Sequence, residues 1–254
     1  MFFDRERYLY QKPQLIEVIC QLRYPTILSI PAREPVDFQE AIRQEFPQYK
    51  RTVERPAPNP GQPAQEVVNF QFLSADGLWR VNLTADFIAL ATSVYTKWED
   101  FAAKLDRILA AFIRVYHPSY FHRVGLRYVN AFSRKALGLE GVPFRELFQP
   151  GYLGLLADDD VREESFARSG QDIEMQISGG CRVKMHAGPG MLTKGKVQDP
   201  EVRFILDNDV FLTGQTPINQ CAPALNTVHV HADRIFAGAM TQRLHEAMLP
   251  GLLD

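Results

Sequence analysis

Between Leu15 and Tyr24, Val18, Cys20, Leu22 and Tyr24 alternate with Glu17, Ile19, Gln21 and Arg23. That two-residue period predicts a strand with one face turned to a core, stopped by Pro25. The period then changes. Phe38, Ile42 and Phe46 recur every four residues and predict a short helix over Pro35–Phe46. Four prolines and a glycine between Arg55 and Pro63 predict an exposed loop. Alternation returns in Val67–Leu73 and Leu78–Leu83, which flank Asp76-Gly77, a dipeptide suited to the positive φ angles of a tight hairpin. A second turn at Thr84-Ala85-Asp86 leads into a strand over Phe87–Tyr95. Trp98, Phe101, Leu105, Ile108, Leu109, Phe112 and Tyr116 mark a long amphipathic helix. It ends at His117-Pro118, because the residue before proline is pushed out of helical geometry.

A second series opens with a strand over His122–Asn130, whose Leu126-Arg127-Tyr128 repeats Leu22-Arg23-Tyr24 at an offset of 104 residues. At that offset the Phe38 helix falls near Phe144–Phe148. Strand Val67–Ser74 falls on Gln171–Ser178, where Ile173, Met175 and Ile177 alternate, and the hairpin turn falls on Gly180-Cys181. Arg182–His186 alternates as Arg80–Leu83 does. Register slips over a glycine-rich loop, Gly188–Pro200, before a strand over Val202–Leu206 and a closing helix from about Ala222 to Leu249. The expected fold is α+β: two pseudo-repeated strand-helix-strands-helix halves, residues 1–117 and 118–254, related by an approximate two-fold axis. They would share one continuous, mainly antiparallel sheet with the long helices packed on one face.

Composition narrows the classes. Hydrophobic residues make up 46% of the 254 and charged residues 23%, enough apolar material for a core. A net charge of −2 predicts no long-range attraction of the whole molecule to nucleic acid or anionic membrane, but allows a local basic face. Met1–Arg7 lacks the apolar stretch of a signal peptide, and no apolar run approaches the ~18 residues of a membrane span. The expected location is cytoplasmic, without a membrane partner. Cys20, Cys181 and Cys221 are widely spaced and form no Cys-x-x-Cys pair, so reduced thiols are expected and no zinc knuckle.

Several segments together resemble a known family. They are Lys12-Pro13 with Leu15-Ile16-Glu17-Val18, Trp79 before a β run, Tyr95-x-x-Trp98-x-x-Phe101, and Arg123-x-Gly125-Leu126-Arg127-Tyr128-x-Asn130. His229 or His231 ahead of Phe236 and Thr241 completes the set. In these the chain is similar to a sporadically distributed family of prokaryotic proteins of unknown function, over most of its length. The resemblance supplies no catalytic residue; the family's patchy distribution implies a mobile or defence-associated gene.

Few motifs in the chain carry recognisable chemistry. Gly188-Pro189-Gly190 and Gly195-Lys196 lack Walker spacing, Gly138-Leu139-Glu140-Gly141 opens no parallel βαβ unit, and no cofactor is called for. His245-Glu246 begins like a zinc-protease helix, but Leu249 stands where the second histidine would be. His229-Val230-His231 could share one face only on a strand; on a helix the rings diverge by about 200°. The expectation places the pair at the lead-in to the closing helix, as a core or capping histidine beside an exposed one. Asp158-Asp159-Asp160 reads as a solvated loop.

What remains is a polar sheet face. Strand parity puts Glu17, Gln21 and Arg23 together, Arg123 with Arg127, Arg80 with Asn82, and Arg182 with Lys184 and His186. The candidate binding set is Arg23, Arg127, Glu17 and Asn130, extended by Arg80, Arg182, Lys184 and His186. The guanidinium forks of Arg23 and Arg127, side by side, would receive an anionic or polar partner. Residues of this kind also suit an antiparallel sheet that simply leaves one face to water. The leading expectation is a non-catalytic binding protein with a protein partner or a second copy of itself. One alternative is metal-independent RNA cleavage by a ferredoxin-like unit within residues 15–130, using His122, Tyr128, Lys184 and His186; the lack of excess positive charge opposes it. Another is a small-ligand pocket of helix-grip type lined by Trp79, Tyr95, Trp98 and Phe101.

Overall fold

A computed structural model describes residues 7–54, 66–195 and 197–252. Residues 1–6, 55–65, 196 and 253–254 lie outside the described residues, and with them the whole of the predicted loop Arg55–Pro63. The strands are β1 (Tyr8–Tyr10), β2 (Leu15–Arg23), β3 (Gln48–Glu54), β4 (Val67–Leu73), β5 (Trp79–Leu83), β6 (Phe87–Thr92), β7 (Tyr120–Phe132), β8 (Gln171–Gln176), β9 (Arg182–Lys194), β10 (Val197–Pro217) and β11 (Pro250–Leu252). The helices are α1 (Ser29–Ala32), α2 (Val36–Ile42), α3 (Trp98–Tyr116), α4 (Arg134–Leu137), α5 (Cys221–Ala239) and α6 (Gln242–Ala247). The fold is α+β. A nine-stranded sheet has the order β3-β4-β5-β6-β2-β7-β10-β9-β8, and β1 pairs separately with β11. The pairs β3–β4, β4–β5, β5–β6, β8–β9 and β9–β10 are antiparallel. The chain forms two compact units: Ile19–Gly125 with Leu212–Leu225, and the described parts of Met1–Val18, Leu126–Phe211 and Asn226–Asp254.

In the unit containing Ile19–Gly125, alternation becomes burial. Cys20 and Leu22 of β2, and Tyr24 directly after it, are fully buried with Phe72, Val81 and Leu90. Helix α3 lays Phe101, Leu105, Ile108 and Phe112 against this layer, and the Phe112 ring centroid is 4.8 Å from Tyr24. Full burial of each such side chain stabilises the fold by roughly 1.5–3 kcal/mol. Glu99 and Asp100 in the first turn of α3 suit its helix dipole, and left-handed His117 ends it by donating its N–H to Ile113. Helix α2 is shorter than the periodicity suggests, stopping at Ile42, but Phe38 still packs 5.4 Å from Phe72. The predicted turns form: Gly77 adopts φ 72°, and the Asp76 carboxylate accepts the Leu78 N–H. Strand β3 is an addition, pairing with β4 at the sheet edge.

In the other unit, Leu126, Asn130 and Phe132 of β7 are buried, as are Val183 and Met185 of β9 and Leu206 and Val210 of β10. Phe148 stacks on Phe204 at 3.9 Å and meets Phe132 edge-on at 5.0 Å. Helix α5 brings Phe236 to 6.1 Å from Phe132. Three expectations fail here. The predicted loop Gly188–Pro200 is mostly strand: Pro189 lies opposite Phe204 and Gly188 opposite Ile205. Gly188 serves close packing, since a Cβ there would sit 2.7 Å from the Gly170 Cα. The single closing helix is two helices. Met240 bridges to Phe148, Thr241 donates its N–H to the Leu147 carbonyl, and the Thr241 side chain then caps α6. A third, the helix near Phe144–Phe148, is reduced to one short turn, Phe144–Glu146.

Candidate functional site

The polar positions of the second unit form a charge ladder. Asp172 of β8 lies opposite His186 of β9, which lies opposite Asp207 of β10; the next rung is Glu174, Lys184 and Asp209. Arg127 on β7 grips Asp207 with both arms of its fork, Nε to Oδ1 at 2.7 Å and Nη2 to Oδ2 at 2.5 Å. This hydrogen bonding, first of all, raises the Arg127 pKa, and Asp209 and Glu17 add to it through their charge. Glu174 takes Arg182 at 2.5 Å and Lys184 at 3.4 Å. His186 Nδ1 is 2.9 Å from Asp172 Oδ1, and the Arg182 guanidinium lies over the Phe211 ring. These side chains alternate with buried Val183, Met185, Leu206 and Val210, so they occupy the face away from that core.

Asn130 is a correction. It is three residues from Arg127 on one strand, so alternation turns it to the opposite face. There it is 2% exposed and donates to the Leu206 carbonyl. Asn82 is likewise enclosed, its Oδ1 accepting from Asn69 Nδ2 at 3.5 Å. Arg80, on the same face of β5 as Asn82, is half-buried between Leu73 of β4 and Ala91 of β6.

Arg23 belongs to the other unit, and its surroundings differ from those of Arg127. Its Nη1 reaches Asp86 Oδ2 at 3.2 Å through a single contact, both side chains being more than a third exposed. Its Nε donates to Gln21 Oε1 at 3.3 Å, and the same oxygen accepts Arg123 Nη1 at 3.4 Å. Sequence parity had joined Arg23 with Arg127; within its own unit the cation beside Arg23 is Arg123.

The remaining candidates resolve into structure. His229 and His231 lie within α5 and not at a lead-in, and both are 5% exposed. His229 Nδ1 is 3.0 Å from the Tyr128 hydroxyl, while burial first, and then Arg234, lowers the pKa of His231. Tyr128 thus faces the helix side, whereas Lys184 and His186 face the ladder side, and these three members of the RNA-cleavage set do not converge. Trp79, Tyr95 and Trp98 all pack on Phe101, with centroids 5.8, 6.0 and 6.1 Å away, filling the volume a ligand would need. Asp159 is 95% exposed. Among the described residues no group of three or more His, Cys, Asp or Glu side chains is placed to hold a metal ion. No described helix is long and apolar enough to cross a membrane. Sequence reasoning missed the carboxylate partners Asp172, Glu174, Asp207 and Asp209. The signal was present, since Asp207 and Asp209 alternate with Leu206 and Val210.

No family model matches the chain, and no curated protein matches it either. Among solved structures, one titled "KH domains" aligns at 6% identity over 92% of this chain and 64% of its own length, with a TM-score of 0.18. The chain thus spans under two thirds of that structure's chain, and the likeness carries no argument about fold or function.

Proposed function

We propose that this is a non-catalytic binding protein whose charged sheet face receives a protein partner, within a bacterial defence or regulatory assembly. The observation that carries the reading is the ladder on β7, β10, β9 and β8. Arg127, Arg182 and Lys184 are interleaved there with Asp172, Glu174, Asp207 and Asp209. A surface of mixed sign complements another protein's mixed surface, whereas nucleic acid favours a uniformly basic one. The proposal extends to the resemblance with the sporadic prokaryotic family, and to a cytoplasmic setting, in keeping with three unbridged cysteines.

The finer architecture belongs to the same proposal: a duplicated unit with both long helices on one side of the sheet. Strand order supports it. The series β4-β5-β6-β2 meets the series β8-β9-β10-β7 in mirror order, and β4 at the 104-residue offset falls on β8. Helices α3 and α5 are both 19 residues long.

The test is affinity capture from a prokaryotic extract with nuclease-treated full-length protein. A protein partner retained by the wild type and lost by the Arg127→Ala/Lys184→Ala double variant is the expected result. Capture that disappears on nuclease treatment, or is indifferent to the double substitution, overturns the reading.

A further inference from the structure

We propose that His231 is an acid-sensitive latch: once protonated, it releases the Ser178–Gly180 turn from helix α5. Thr227, His231 and the turn all belong to the unit containing Leu126–Phe211. The latch uses none of the ladder residues, so it stands or falls independently of the protein-partner reading.

Helical spacing fixes the place of the imidazole. Thr227 and His231 stand four residues apart on α5, one above the other on a single helix face. Gly179 lies against that face: a Cβ there would be 3.4 Å from His231 Nε2 and 3.6 Å from Thr227 Cγ2. Gly179 and Gly180 hold φ angles of 68° and 73°, in the left-handed region that glycine adopts freely. Over the ring the turn therefore presents glycine backbone, itself exposed, while His231 beneath it is 5% exposed.

The enclosure suits a neutral ring and not a charged one. His231 Nδ1 makes no hydrogen bond among the described residues. A neutral imidazole carries one N–H and one lone pair, whereas an imidazolium carries two N–H groups that each need an acceptor. Burial chiefly, with the like charge of Arg234 added to it, lowers the pKa of His231. The other ionisable neighbours offer no counter-charge. His229 and Asp233, two positions to either side, project about 200° away around the helix, and His229 meets the Tyr128 hydroxyl. On the hairpin, Cys181 is a fully buried thiol whose pKa burial raises, and Glu174 and Arg182 pair with each other on the ladder side.

Lifting the turn exposes the ring to water, where it takes a proton near the ordinary value of 6.5. The seated ring, with its lowered value, stays neutral at that pH. Acid therefore favours the lifted turn, by up to about tenfold for each pH unit below 6.5 until the seated ring itself titrates. The turn gives up little in lifting, since Cys181 donates its N–H to the Ser178 carbonyl at 3.3 Å and Gly179 withdraws no side chain.

The experiment is amide hydrogen exchange of the full chain, followed by NMR at pH 7.5 and pH 5.5 and expressed as protection against the unstructured rate at each pH. Protection of the Cys181 amide should fall by up to about tenfold at the lower pH, while that of Val210 in β10 holds. His231→Gln cannot take the proton, and its Cys181 protection should be the same at both values; His231→Phe makes the same comparison if the glutamine variant fails to fold. Cys181 protection that is unchanged with pH in the wild type, that falls equally in a folded variant, or that falls together with Val210 overturns the proposal. So does a wild-type His231 ring whose own NMR titration falls at or above its ordinary value.

Discussion

Glu45 is held by two cations from one helix face: Lys104 Nζ at 2.6 Å, and Arg107 Nε at 2.7 Å. The Arg107 hydrogen bond, chiefly, lowers its pKa from 4.5 to about 2, with Lys104 adding to the effect. A carboxylate depressed on folding stabilises the native state above its unfolded pKa, and that contribution disappears as pH falls through the folded value. The window here runs from about 4.5 down to about 2. Urea denaturation at pH 6 and pH 2.5 should show wild type losing more stability than Glu45→Gln, which cannot titrate. Because the side chain is about a third exposed, solvent screens the pair and the difference will be small. Equal acid sensitivity in both proteins would show that the cluster contributes nothing. Lys104 also lies over the Trp79 and Phe46 rings, so its stem stays packed in the glutamine variant and the comparison isolates the charge at position 45.

At the scale of elements, the break between α5 and α6 hangs on one side chain. Thr241 Oγ1 donates to the Glu146 carbonyl at 2.8 Å, with the Leu147 carbonyl 3.1 Å away, and accepts the Leu244 N–H at 3.4 Å. Thr241→Ala should cost about 1–2 kcal/mol and lower Tm, while Thr241→Ser restores most of the loss. A serine variant no better than alanine would show that the hydroxyl is not what holds the break. This break was not legible in the sequence, because Ala239-Met240-Thr241 contains no glycine or proline; its cause lies in Glu146–Phe148, far away along the chain. Strand β3 was missed for a related reason. At the sheet edge its Tyr49 and Val53 stay 40% and 46% exposed, so no buried stripe marks it. By contrast, β2, the Asp76-Gly77 hairpin and α3 were legible, since each buries one clean periodic face. The site divides the same way. Which cations share a strand face follows from parity, and parity alone also assigns Asn130 to the core side. Their carboxylate partners follow only from register between strands, and the cover over His231 only from the packing of the Ser178–Gly180 turn on α5.

For the whole molecule, the two compact units do not follow the chain in order. The unit built on Ile19–Gly125 also takes in Leu212–Leu225, and the other draws on described residues up to Val18, from Leu126 to Phe211, and from Asn226 onward. The unit boundaries fall inside β2, β7, β10 and α5, each of which contributes residues to both units. A fragment cut at residue 117, where the sequence repeat would divide the chain, therefore contains neither unit in full. Fragment 1–117 lacks Tyr120–Gly125 of β7, which carries fully buried Phe121 and Val124, and also the start of α5 with buried Cys221 and Leu225. Fragment 118–254 lacks β1, the partner of β11, and Gln14, whose Oε1 accepts the Ser133 N–H at 2.9 Å. Each fragment alone leaves paired backbone and apolar surface without partners, at a cost that exceeds the marginal stability of a domain of this size. Expressed separately, both should give poorly dispersed amide NMR spectra, whereas co-expression should return a co-purifying complex with the dispersion of the intact chain. Well-dispersed spectra from both isolated fragments would show that each half of the repeat folds by itself, and that the contacts joining discontinuous segments are secondary to those within each half.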